Sequence, residues 1–63
     1  MKRRVLLRTL TAIAESKDLK LEFVRHGKKH DVYVIGDEPF SVGRHADIPE
    51  QTALGTIKKA RNI

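Results

Sequence analysis

Apolar residues recur along this chain first at helical spacing and then in alternation, and the change of period divides it into elements. Leu6, Leu10, Ile13 and Ala14 fall on one side of a helix while Arg4, Arg8, Thr11 and Glu15 fall on the other. Residues 2 to 16 are therefore predicted to form an amphipathic helix. Ser16-Lys17-Asp18 breaks it. From Lys20 the pattern alternates, Leu21 and Phe23 against Lys20 and Glu22, as in a half-buried strand. His26-Gly27-Lys28-Lys29 is its turn, and a second, more apolar strand runs from His30 to Ile35. Gly36 to Pro39 closes a hairpin, because Gly and Asp tolerate turn dihedrals and Pro cannot donate to a central ladder. Phe40 and Val42 begin a third strand, and an irregular stretch holding His45 follows. Pro49 and Glu50 mark a helix start, after which Ala53, Leu54, Ile57 and Ala60 give an apolar stripe beside Lys58, Lys59 and Arg61.

This order, α-β-β-β-α, predicts an α+β domain over residues 1–63. Its three-stranded antiparallel meander would carry both helices on one face, leaving the other face open to solvent or a ligand. Alternation along the second strand puts His30 on the side opposite Tyr33. Tyr33 is expected in the core and His30 on the open side, although Val32 and Val34 share the histidine's parity.

Length and charge narrow the partners. A chain of 63 residues buries only ~60% of its unfolded surface, which leaves room for a surface site but not for a deep cavity. Thirteen Lys and Arg against eight Asp and Glu give a net charge of +5 and a pI near 10.0. That balance favours nucleic acid, an acidic protein or an anionic membrane. No apolar stretch reaches the ~20 residues of a membrane-spanning helix, so no membrane partner is expected. The opening residues 1–14 have the charged start and apolar middle of a signal peptide, but Arg8 interrupts the apolar run, so they are expected to be a helix of the domain itself. With no cysteine, disulfide and thiolate chemistry are excluded, which fits a reducing cytoplasm.

Candidate chemistry centres on Arg25 to Gly36, RHGKKHDVYVIG. Cleavage of RNA by its own 2′-hydroxyl needs a base for that proton, an acid or solvent for the departing oxygen, and cations for the charged phosphorane. Histidine, with an unperturbed pKa near 6.5, is the natural base. His30 is the candidate, and Arg25, Lys28 and Lys29 are placed to meet the phosphate. Alone, a strand-end histidine is an ordinary solvated residue. His26 and His30 are spaced like a metal pair, but no third ligand is evident, so neither a metal nor another cofactor is expected. His45 is read as making a structural hydrogen bond in its loop. Arg4 and Arg8, with the basic run at residues 2 to 4, serve either RNA contact or solubility, whereas Lys58, Lys59 and Arg61 also suit a helix C-terminus. Gly55 inside the last helix hints at close packing or at a partner's approach.

These residues carry a resemblance. GKKHDVY followed by VGRHADIPEQTALGTIKKA is similar to the HicA family of small bacterial toxins, over roughly residues 3 to 62. There, a Gly-rich turn leads to a strand-opening His, an aromatic follows three residues later, and a Val-Pro-x-His-like segment precedes the final helix. The resemblance implies a fold like double-stranded-RNA-binding domains and a ribosome-independent mRNA endoribonuclease activity neutralised by a HicB-type antitoxin. It also implies that His30 is the catalytic base, Gly27 the turn glycine, Tyr33 the supporting aromatic, and His45 a second family position. Gly43 stands where many members have proline, and two lysines replace the small residue often found before the histidine. The alternative reading is a non-catalytic RNA-binding module of double-stranded type, whose lysines grip phosphates. A helix-turn-helix fits poorly, because the middle of the chain is β-patterned.

Overall fold

The computed structural model describes residues 1–63 as α1 (Arg3–Ser16), β1 (Leu21–His26), β2 (His30–Ile35), β3 (Glu38–Gly43) and α2 (Glu50–Arg61). The strands form one antiparallel sheet in the order β1-β2-β3. The α-β-β-β-α order and the bounds of β2 match the expectation from the hydrophobic pattern, but β3 starts at Glu38 rather than Phe40, because Pro39 pairs with Val34 on an edge strand, where its missing N–H costs the ladder nothing. No helix is long and apolar enough to cross a membrane.

Residues 1–14, which carry signal-peptide-like features, belong to the domain. Leu6, Leu10 and Ala14 of α1 are all but fully buried, and truncating a buried leucine costs ~2–5 kcal/mol, a large part of a small domain's total stability. The helix ends in a Schellman arrangement. The N–H of Asp18 donates to the Glu15 carbonyl at 3.1 Å and that of Leu19 to Ala14 at 2.9 Å. Asp18 sits at φ 58°, a left-handed conformation that Asp tolerates better than most residues. At the other end, the Arg3 N–H donates to the Ala46 carbonyl at 2.8 Å, and the Ile48 N–H donates to Met1 at 2.7 Å. The start of α1 is thereby tied to the loop between β3 and α2.

The register assigns each side chain to a face. Asp31 lies opposite His26 and Val42, Tyr33 opposite Phe23 and Phe40, and Ile35 opposite Leu21 and Glu38. This face meets the helices, with Ile35, Phe40 and Val42 joining Leu6, Leu10, Ala53, Ile57 and Ala60 in one core. The other face carries His30 opposite Gly43, and Val32 opposite Arg25 and Ser41. Tyr33 packs against the core and His30 is exposed on the opposite face, as alternation predicts.

Four further expectations are corrected. Phe23 is 48% exposed, although it has core parity. It lies on the edge strand β1, and its ring rests edge-on against Tyr33 at 5.6 Å. A register shift between Phe23 and Arg25 interrupts the alternation there. Leu54 is 52% exposed, because α2 buries Ala53, Ile57 and Ala60 and Leu54 stands about 100° around the helix from Ala53. Beyond its own turns of helix, no atom lies within 4 Å of where a Cβ on Gly55 would stand, so close packing does not explain that glycine. His45 makes no hydrogen bond of its own.

Candidate active site and nucleic-acid interface

The turn before His30 is fixed by its main chain. The Gly27 N–H donates to the His30 carbonyl at 2.7 Å, and a Cβ on Gly27 would stand 2.7 Å from that same oxygen. Only glycine allows the closure without displacing backbone. The resemblance named Gly27 as a turn glycine; the structure supplies the steric reason.

Beside this turn lies an open cleft of about 400 Å³, lined by Arg25, Gly27, Lys28, Lys29, His30, Val32 and Ser41. Of the RNA-contact candidates, Arg25, Lys28 and Lys29, together with the turn glycine Gly27, therefore share this cleft with His30. Arg4 and Arg8 do not. Arg4 lines a separate hollow with Lys2, Arg3, Leu7 and Ala46, and Arg8, one turn further along α1, lines neither it nor the His30 cleft. The molecule is only 16 Å across its thinnest dimension, so any polymeric ligand must lie on the surface rather than in a tunnel.

On the helix side of the same strand sits a residue that periodicity passed over. Asp31 is the one buried charged residue, and three side chains converge on its carboxylate. Arg3 Nη2 donates to Oδ2 at 2.7 Å, while Arg44 Nε donates to Oδ1 at 2.9 Å and His26 Nδ1 lies 2.8 Å from Oδ1. With a carboxylate as partner, the His26 proton belongs on Nδ1. Hydrogen bonds from His26 and then Arg44 hold the Asp31 carboxyl below its ordinary value, against the opposing effect of burial. Arg44 also donates to the Gly27 carbonyl, and Arg3 Nε donates to the Gly43 carbonyl at 2.8 Å. One carboxylate thus ties the turn before His30, the end of β3, the loop after it and the start of α1.

This network bears on two sequence readings. His26 and His30 fall on opposite faces of the sheet, so they cannot chelate one ion together. The basic run at residues 2 to 4 is not a uniform solvated face, since Arg3 turns inward to Asp31 while Arg4 is exposed. The signal that could have found Asp31 is its parity: it alternates with Tyr33 and Ile35, and a charge at a core position demands paired cations.

His30 also borders a second cleft of about 270 Å³, which it shares with Ser41, Gly43, His45, Asp47, Ile48, Pro49 and Thr52. The site is therefore two shallow basins meeting at His30 and Ser41, one cationic and one holding His45. Comparison with known protein families, characterised proteins and solved structures finds no match to this chain.

Proposed function

We propose that this protein is a ribosome-independent endoribonuclease of HicA type, the toxin of a toxin-antitoxin pair, with His30 as general base. The observation that carries the reading is the position of His30, exposed on the face of the sheet away from the helices and sharing one cleft with Arg25, Lys28 and Lys29. A neutral imidazole there would take the 2′-hydroxyl proton, and the cations would hold the phosphate while charge develops on the phosphorane. A single positioned base contributes ~10²- to 10⁴-fold, enough for a slow nuclease whose target need only be damaged. Tyr33 supports β2 from the core side through its edge contact with Phe23. The reaction so drawn needs no cofactor. A cell holding such an enzyme needs an acidic, HicB-type partner in the cytoplasm to cover the same cations.

One observation favours the alternative, a non-catalytic RNA-binding module: no protein group bonds the His30 ring, whereas a catalytic imidazole usually has its tautomer set by a partner. Catalytic hydrogen bonds often form only with substrate present, so the nuclease reading is retained. The test is RNA cleavage by the purified protein and growth arrest on its induction, each compared with His30→Ala. Folded His30→Ala that still cleaves and arrests growth would remove His30 from the mechanism. RNA binding without cleavage by the wild-type protein would establish the alternative.

A further inference from the structure

We propose that His45 is the general acid that protonates the leaving oxygen, opposite His30; this rests on the nuclease reading above. Of the three histidines, His26 is engaged by Asp31, whereas the rings of His30 and His45 have no protein partner. These two histidines line the same cleft, together with Ser41 and Gly43. The His30 ring lies over Gly43, its Cδ2 3.9 Å from where a Cβ there would stand.

The loop around His45 is held while the ring is left free. On one side, Arg44 is bound to Asp31 and to the Gly27 carbonyl. On the other, the Ala46 carbonyl accepts from Arg3, and the Ile48 N–H donates to Met1. Lys2 and Asp47 add an ion pair at 3.4 Å. An exposed imidazole that bonds nothing, on a backbone anchored at both ends, suits a group whose partner is a ligand.

The step balances. His30 removes the 2′-hydroxyl proton, and the 2′-oxygen forms a bond to phosphorus. The bond from phosphorus to the 5′-oxygen breaks with its electron pair, and that oxygen takes the proton carried by the His45 imidazolium. The products are a 2′,3′-cyclic phosphate and a 5′-hydroxyl, with neutral His45 and protonated His30 left to exchange with water. The strand would run so that the phosphate meets the cationic basin and the leaving nucleotide enters the basin of His45.

The test uses an RNA whose wild-type cleavage position is mapped, made with either oxygen or sulfur as the 5′-bridging atom at that linkage. A thiolate leaves without a proton, so it has no need of an acid. His45→Ala and His45→Asn are expected to cut the oxygen substrate about 10²-fold or more slowly than wild type and the sulfur substrate at close to the wild-type rate. His30→Ala should be slow on both. Equal slowing of the His45 variants on both substrates, or no slowing on either, would overturn the acid assignment. Unimpaired cleavage by His30→Ala would instead overturn the base assignment on which it rests.

Discussion

Arg44 donates to Asp31 at 2.9 Å, and through that bond a loop residue at the end of β3 fixes the turn that presents His30. The guanidinium spans the gap because its donors form a planar fork: Nε meets the carboxylate while Nη2 reaches the Gly27 carbonyl. His30 and His45 thus hang on opposite sides of a shared anchor, one following the turn and one following Arg44 itself.

Replacing Arg44 should therefore impair the chemistry more than the fold. Arg44→Ala is expected to slow RNA cleavage by about 10- to 100-fold, the scale of a small misplacement of reacting groups. Arg44→Lys should rescue little, since an ammonium cannot bridge the carboxylate and the turn together. Amide hydrogen exchange should quicken at Lys28, Lys29 and His45 and remain slow in α1. Full activity in either variant would show that the turn holds its shape without the anchor.

Asp31 makes stability depend on acid. Its carboxyl titrates below the usual 3.8 in the folded protein, because His26 and Arg44 hydrogen-bond the charged form. The unfolded chain then binds the proton more readily, so stability rises with pH through this range. The contribution is complete above the unfolded value and is lost as pH falls through the lower folded one. Urea midpoints measured from pH 7 down to pH 2 should fall steeply below about pH 4. Asp31→Asn should be less stable at neutral pH and flatter in acid. An equally steep acid limb in the variant would assign the dependence to other carboxylates.

Periodicity made the scaffold legible because burial has a period. The spacing of Leu6, Leu10 and Ala14 and the alternation through Tyr33 and Ile35 report directly which side meets the core. The same parity placed His30 on the far face. The anchor was not legible in this way, because Arg3 and Asp31 lie 28 residues apart and Arg44 and Asp31 lie 13 apart. Ion pairs at such separations leave no periodic trace; only the charge at a core position betrayed one. Phe23 misled because alternation tells which face a residue takes, not whether a helix covers that part of the sheet.

Gly27 should tolerate no side chain. A Cβ would stand 2.7 Å from the His30 carbonyl, so Gly27→Ala must open the turn. The expected cost is more than about 1 kcal/mol, the usual scale when alanine meets an incompatible backbone. Cleavage should fall in the same variant. Gly43→Ala serves as the control for stability alone, since its Cβ would meet only ordinary contacts, at 3.5 Å from Ile48 and 3.9 Å from His30. Equal stability of Gly27→Ala and wild type in urea would remove the steric argument.

The cationic basin predicts a salt dependence. If Lys28 and Lys29 each neutralise one phosphate, replacing both with glutamine should flatten the log-log dependence of RNA affinity on salt by about 1.4, at roughly 0.7 per phosphate on single strands. Binding to non-cleavable RNA by His30→Ala isolates this effect from turnover. Arg4→Gln with Arg8→Gln should change the slope little, because neither residue lines the His30 cleft. A slope lost with the α1 arginines and kept without the lysines would move the RNA to the other side of the molecule.

Gly55 offers a gain of stability that the free chain leaves unused. It sits within α2, beside a groove formed with Pro39, Phe40 and Ser41 of β3, and nothing occupies the space of its missing Cβ. Glycine in a helix interior costs ~1 kcal/mol relative to alanine. Gly55→Ala should therefore raise the urea midpoint of the isolated protein, and cleavage should be unchanged because the groove does not contain His30. Co-expression with the proposed acidic partner separates two causes of the glycine. If a partner's main chain lies against this position, Gly55→Ala will weaken that complex while strengthening the fold. If the variant is more stable and binds the partner as tightly as wild type, the groove is not part of the interface.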